Sequence, residues 1–361
     1  MANKLNHHDE TTVLVWTNAV AVSLGLIICG LMLLFLKINP LNVFGQALKT
    51  IFTDAYTGAE VFLKATPLIF TALSFAFTYK ASLYNIGAQG QFYAGAIASI
   101  ALSLQLDGKV STFTLLLLSL LAALLAGGLI GGLIGFLKAR FQANEFLVSM
   151  MSTYAVIAFM NYLLRTALKE NKGEYPQTDA LGRAAWIPSF IPGTRLHYGF
   201  ILAILTAIGI WVLLNKTPFG FRVRSVGYNQ RATELAGIKA PAIFILTFFI
   251  SGALSGMAGF TEINGVQHML IQDFNPFIGA AGLGIAILAN ANPIAIIFAS
   301  ILFGALSVIG MLMGRMPGVN VPASFVPLMQ GTVMAFVIGA NFFRIKLHIK
   351  REKMRKAEEL K

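Results

Sequence analysis

The run Lys80-Ala-Ser-Leu-Tyr84-Asn85-Ile-Gly87-Ala-Gln89-Gly90-Gln91-Phe-Tyr-Ala-Gly95-Ala96 sets amide side chains and glycines between two apolar segments. In a soluble chain it would be an ordinary polar turn. At membrane depth it needs a reason, because an amide facing lipid has no water to bond. Glycine lets helices approach closely or unwind, and unwound backbone is tolerated in a membrane where it lines a cavity. Tyr84, Asn85, Gln89 and Gln91 are therefore candidates for a polar patch on a translocation path. The same residue types also fit a plainer role, tying helix to helix at ~1 kcal/mol each.

The membrane setting follows from composition. Hydrophobic residues make up 57% of the 361 and charged residues only 12%, with a mean hydropathy of +0.73; soluble domains carry about 25% charge. The apolar runs have spanning length, about 20 residues each. The fold class expected is all-α: a polytopic membrane protein of about 8–10 transmembrane helices, some short or broken, near 12–36, 66–79, 85–104, 112–137, 146–166, 199–215, 242–262, 277–290, 293–314 and 324–343. A single domain is expected over 1–361: a bundle at 12–343, an inside loop at 216–241 and a basic tail at 344–361. Net charge is +12, read as cytoplasmic loop charge under the positive-inside rule rather than as a nucleic-acid surface. Threading with the N-terminus inside puts Lys80, Lys138, Arg140, the 216–241 loop and the C-terminus in the cytoplasm. The tail also suits contact with lipid headgroups.

Chemistry of other kinds is missing from the sequence. Cys29 is the lone cysteine, the five histidines lack ligand spacing, and there is no Walker-type loop. Asp and Glu are nearly absent from the spans, which argues against ion coupling, and the sequence offers no nucleophile or metal cluster for a membrane-embedded enzyme. No cofactor is expected in this chain.

Several stretches carry more than hydropathy. Residues 37–65 read as an amphipathic helix on the outer surface, with Phe44, Ala47, Leu48, Ile51 and Phe52 at helical spacing. Gly127, Gly128, Gly131, Gly132 and Gly135 repeat the small-residue spacing of a close-packed helix face. Asn144-Glu145 opens the next segment, where an acid suits the positive end of a helix dipole; a place on the permeation path is the sharper reading. The outside loop 167–198 carries Trp186 and Phe190, read as interfacial anchors or as a docking face for an outside protein. In 216–241, Asn229 caps a short helix, Gly237 stops it and Pro241 opens the next element. A stiff inward helix there suits a soluble partner. A second interruption falls near Asn290-Ala-Asn292-Pro293, and paired interruptions point to a site at the membrane midplane.

Tyr84-Asn-Ile-Gly-Ala-Gln-Gly-Gln91, Asn144-Glu145, the stretch Gly220 to Ile238, Ser251-Gly-Ala-Leu-Ser-Gly-Met-Ala-Gly259 and Gly284 to Pro293 resemble, in order, the blocks of ABC importer permeases of the nucleoside branch. These belong to the superfamily of ribose and branched-chain amino acid permeases. Gln89 stands where that signature usually has Glu, Ser152-Thr-Tyr154 where "MLNY" is common, and Phe277-Ile-Gly-Ala280 in place of "GfdgIA". The resemblance implies the ABC importer permease fold and a channel-forming subunit of a prokaryotic plasma-membrane importer. It implies an ABC ATPase subunit inside that uses the ATP, a second and non-identical permease subunit, and an extracytoplasmic solute-binding lipoprotein or periplasmic protein. Nucleosides are the expected cargo, with ribose, another simple sugar or a riboflavin-like solute as alternatives, and an ion-coupled secondary carrier as the competing class. Tyr84, Asn85, Gln89, Gln91, Asn144, Glu145, Asn290 and Asn292 are the expected substrate-path residues. Gly227, Asn229, Arg231, Ala232, Glu234, Ala236 and Gly237 are assigned to ATPase coupling.

Overall fold

The computed structural model describes residues 2–171, 173, 175–316, 321–322, 324–340 and 342. The basic tail 344–361 lies outside them. The described elements are helical: α1 (Ala2–Phe35), α2 (Pro40–Thr53), α3 (Ala55–Tyr79), α4 (Ala88–Leu106), α5 (Thr112–Phe141), α6 (Glu145–Arg165), α7 (Gly199–Lys216), α8 (Pro218–Tyr228), α9 (Gln230–Leu235), α10 (Ala240–Glu262, extended by a π turn Ile263–Gln267), α11 (Ile278–Leu288), α12 (Pro293–Met313) and α13 (Phe325–Ala340). Among the described residues seven helices, in α1, α3, α5, α6, α7, α10 and α12, are long and apolar enough to cross a membrane.

The chain packs as two units, residues 51–308 and the combined ends up to Thr50 and from Ile309. In the smaller unit, Gly25 of α1 lies against the backbone of Val333 in α13 and Cys29 donates to the Met329 carbonyl. There α2 buries Val43 and Ala47 but leaves Leu48 and Phe52 exposed, so its buried stripe is turned from the one expected. The expected amphipathic stretch also ends sooner. Asp54 accepts from the Tyr56 and Thr57 amides, and this N-cap starts α3 at Ala55. Residues 55–65 thus belong to a full-length span.

The larger unit is built around α3 and α10, whose spanning windows are 89% and 78% buried, whereas those of α5, α6 and α7 are about a quarter buried. The outer helices thus show most of their apolar surface to lipid or to another subunit. The most extensive helix contact is that of α5 with α10. A Cβ on Gly127 or Gly131 would meet the Gly252 or Phe248 carbonyl, and one on Gly252 or Gly256 would meet the Gly127 or Ala123 carbonyl. Glycine on both sides is what lets the two backbones touch.

The loop 167–198 is stitched to the larger unit. Arg195 grips the buried Glu60 of α3 with two hydrogen bonds of 2.9 and 2.7 Å, the bidentate geometry that suits guanidinium and carboxylate. Phe190 packs on Ala59, Leu63 and Leu196. Trp186 bonds the Leu181 carbonyl and stacks on His268 with ring centroids 3.8 Å apart. Both aromatics therefore have intramolecular packing partners, which neither sequence reading of them anticipated.

Candidate functional site

Two unwound stretches meet inside the larger unit. The first is 80–87, between α3 and α4. It does not stay at the end of α3: Asn85 donates to Ser251 Oγ at 2.8 Å, and Ser251, near the middle of α10, also bonds Ser74. The chain therefore turns back, and α4 starts at the depth of mid-α10. The second stretch is 268–277, between α10 and α11. Asn264 bonds Ser103 of α4, while Phe274 accepts from Tyr93 and Asn275 accepts from Gln89 at 3.0 Å. From Ser103 to Gln89 is about 20 Å along α4 at 1.5 Å per residue, so the loop descends deep into the bundle. Helix α11, with 11 residues, is about 16 Å long, half of the ~30 Å hydrocarbon core.

Gln89 is the hinge between them. Its amide nitrogen donates to Asn275 and its oxygen accepts from the Gly279 amide at 2.8 Å, inside the first turn of α11. A neutral amide can do both; the glutamate usual in the resembling signature could donate only when protonated. Phe92, Tyr93 and Phe274 pack ring to ring behind it, with centroids 5.2–5.4 Å apart. The descending loop holds His268, Asp273 and Asn275 at positive φ, conformations that cost side-chain-bearing residues energy unless the surroundings fix them. The 167–198 loop supplies that support, through Thr178 to Leu270, Leu181 to His268 and Ile187 to Asn264 backbone bonds.

Other expected path residues divide into separate groups. Asn85 and Gln91 are buried and exchange hydrogen bonds of 2.8 and 3.2 Å, a closed network with Ser251 that has no face to a solute. Tyr84 is 45% exposed and leans on Phe75 and Tyr79. Asn144 caps α6 through the Phe146 and Leu147 amides, and Glu145 pairs with Lys138 at 3.0 Å. Asn290 and Asn292 lie at the α11–α12 turn, where Asn292 caps α12 through the Ile294 amide. Residues 291–293 share a cavity with Lys80 and Ser82 of the first stretch, and Gln89, just beyond that stretch's far end, bonds a further interruption at 268–277. Its signal was the rise in polarity from Gln267 to Asn275. Asn85→Leu leaves Gln91 and Ser251 without this partner, at about 1–3 kcal/mol for each buried group left unbonded. It is expected to lower the melting temperature of the detergent-purified protein while uptake per folded molecule is little changed.

The 216–241 segment forms two helices. Asn229 ends α8 and caps α9 through the Ala232 amide at 3.0 Å, and Gly237 turns the chain with φ +84°. Of α9 only Thr233 is buried; Arg231, Ala232 and Glu234, with Ala236 and Gly237 beyond it, are exposed. Tyr228 and Leu235 are 90% and 91% exposed. Gly227 lies on the Lys80 carbonyl and Ala81 backbone, and its own carbonyl accepts from Ser82 at 2.7 Å. The exposed helix is thus joined through one residue to the start of the unwound 80–87 stretch.

Among the described residues no group of three or more His, Cys, Asp or Glu side chains is placed to hold a metal ion. The chain is 30% identical to the glucose ABC transporter permease protein TsgB13 of Haloferax volcanii, over 91% of this chain and 88% of that one. It is 29% identical to the guanosine ABC transporter permease protein NupP of Bacillus subtilis, over 90% and 93%. It is 28% identical to the nucleoside ABC transporter permease protein NupB of Lactococcus lactis, over 94% of each. Residues 58–338, which include both unwound stretches and the exposed α9, match the family described as branched-chain amino acid transport system, permease component. The chain belongs to that family, as a membrane permease subunit of an ABC importer with no ATPase site of its own.

Proposed function

We propose that the cargo of this importer is a nucleoside. The carrying observation is the bond from Gln89, in the first turn of α4 after the 80–87 stretch, to the 268–277 stretch and the start of α11, which sets neutral amide and carbonyl groups beside aromatic rings at mid-bundle. In this state the groups are bonded to one another; once parted, they would suit a neutral, hydroxylated ring compound. The nucleoside and guanosine permeases among its relatives support the same reading. Tyr84, Gln89 and the neighbouring Phe277, which is 56% exposed, are assigned to the path. Asn144, Glu145, Asn290 and Asn292 are assigned to its cytoplasmic end, and both termini are assigned to the cytoplasm.

In this reading an ATPase subunit seats α9, an extracytoplasmic solute-binding protein delivers the nucleoside, and a second, non-identical permease completes the pathway. Movement of α9 passes through Gly227 and Ser82 to the unwound stretch and changes which end of the path is open. The 30% identity to a glucose permease favours a sugar as the second reading.

The test is uptake of labelled guanosine, uridine, glucose and ribose by the source strain and by a deletion of this gene. Loss of nucleoside uptake alone, restored by the intact gene, is expected; loss of sugar uptake alone would overturn the cargo. The nucleoside uptake is also expected to survive a protonophore while ATP is maintained and to fail when ATP is depleted.

A further inference from the structure

A cavity of about 380 Å³ opens where α3 and α7 end and α12 begins, lined among others by Lys80, Ser82, Asn215, Arg224, Tyr228 and Asn292. Its charge is unbalanced. No Asp or Glu lines it, and neither Lys80 nor Arg224 has a carboxylate partner among the described residues. Arg224 Nε is buried with no hydrogen-bond partner. Burial, and then Arg224, hold the Lys80 ammonium below its ordinary pKa. A guanidinium nitrogen removed from water and left unbonded is costly, and two cations sharing a cavity repel. An anion resolves both at once.

We infer that this cavity is a binding site for a phosphate-bearing ligand, held by Lys80 and Arg224 with Asn215 and Asn292 as neutral partners. Guanidinium and ammonium side by side suit a tetrahedral oxyanion. The depth favours the phosphate of an anionic phospholipid. Tyr79 and Trp211, which also line the cavity, lie at the ends of spanning helices, the headgroup level where aromatic and basic side chains gather. A soluble phosphate compound has the same chemistry. Because the Ser82 hydroxyl is bonded to Gly227, an occupant would bear on the link between α9 and the 80–87 stretch.

The test is the melting temperature of the purified chain in phosphatidylcholine nanodiscs, with and without phosphatidylglycerol, and separately with inorganic phosphate. Phosphatidylglycerol is expected to raise it by about 5 °C through preferential binding to the folded state. The gain should be lost in the Lys80→Gln/Arg224→Gln double variant. It should persist in Arg140→Gln/Lys239→Gln, which removes the same charge from exposed positions. An equal gain from inorganic phosphate in discs without phosphatidylglycerol, lost in the same double variant, would assign the site to a soluble phosphate. If the double variant does not accumulate, Asn215→Leu takes its place, keeping both charges while removing a neutral partner. No gain with either probe in the wild type, or an equal gain in the cavity variants, overturns the site.

Discussion

Leu235→Asp is expected to abolish uptake while leaving the permease folded in the membrane. Leu235 is 91% exposed at the end of α9, beside an equally bare Tyr228, on a helix whose position is fixed from behind by Asn229, Thr233 and Gly227. A rigid, exposed apolar side chain on an otherwise polar helix is the sort of anchor that dominates an interface. Losing such an anchor costs ~2–4 kcal/mol, or about 100-fold in association near the middle of that range. Nothing in the fold rests on Leu235, so the effect on stability should stay within ~0.5 kcal/mol. The measurement is co-purification of the ATPase subunit from mild detergent, alongside uptake. Wild-type recovery of the ATPase with Leu235→Asp would remove α9 from the interface. Ala232→Pro tests the same helix differently, since proline deletes the amide that Asn229 caps.

The second large effect is structural. Gly131→Leu should leave little folded protein in the membrane, whereas Gly132→Leu, one residue on, should be tolerated. A Cβ at 131 meets the Phe248 carbonyl, which is helix backbone and cannot turn aside. The cost exceeds the ~1–3 kcal/mol of ordinary overpacking, because α5 and α10 must separate along their whole crossing. A Cβ at 132 meets the Phe249 ring at 3.4 Å, and a ring edge can give way. The two variants share residue type and helix and differ only in which face they load. Membrane levels and size-exclusion profiles of tagged variants separate them; equal loss in both would mean that added bulk anywhere on α5, not the crossing, sets the effect.

Features governed by neighbouring residues were legible in the sequence. Asn229 as cap and Gly237 as stop are set by chemistry within a turn of the helix, and the glycine face of α5 showed in its spacing. The unwinding at 80–87 was also visible, because amides and glycines interrupt an apolar run. What closed over it was not. The contact from Gln89 to Asn275 and Gly279 joins distant parts of the chain, and no local pattern announces it. Asn290 and Asn292 shared the residue type expected of a path, but asparagine also tolerates left-handed backbone and caps helices. Asn290 has φ +51° and Asn292 caps α12. The Lys80–Arg224 cavity was hidden for the same reason as the Gln89 hinge: its two charges are neighbours only after α8 packs on the end of α3.

The polar partners of α4 also set the order in which the protein is made. Ser99 and Ser103 bond Asn264, and Asn85 bonds Ser251, partners 161–166 residues later in the chain. At ~5–20 residues per second, synthesis reaches those partners only ~10–30 s after α4 has left the ribosome. Through that interval Asn85 has Gln91 and Ser103 has Ser119, but the bonds to α10 and its π turn are still unmade. The polar bonding of α4 is therefore completed only when α10 comes to receive it.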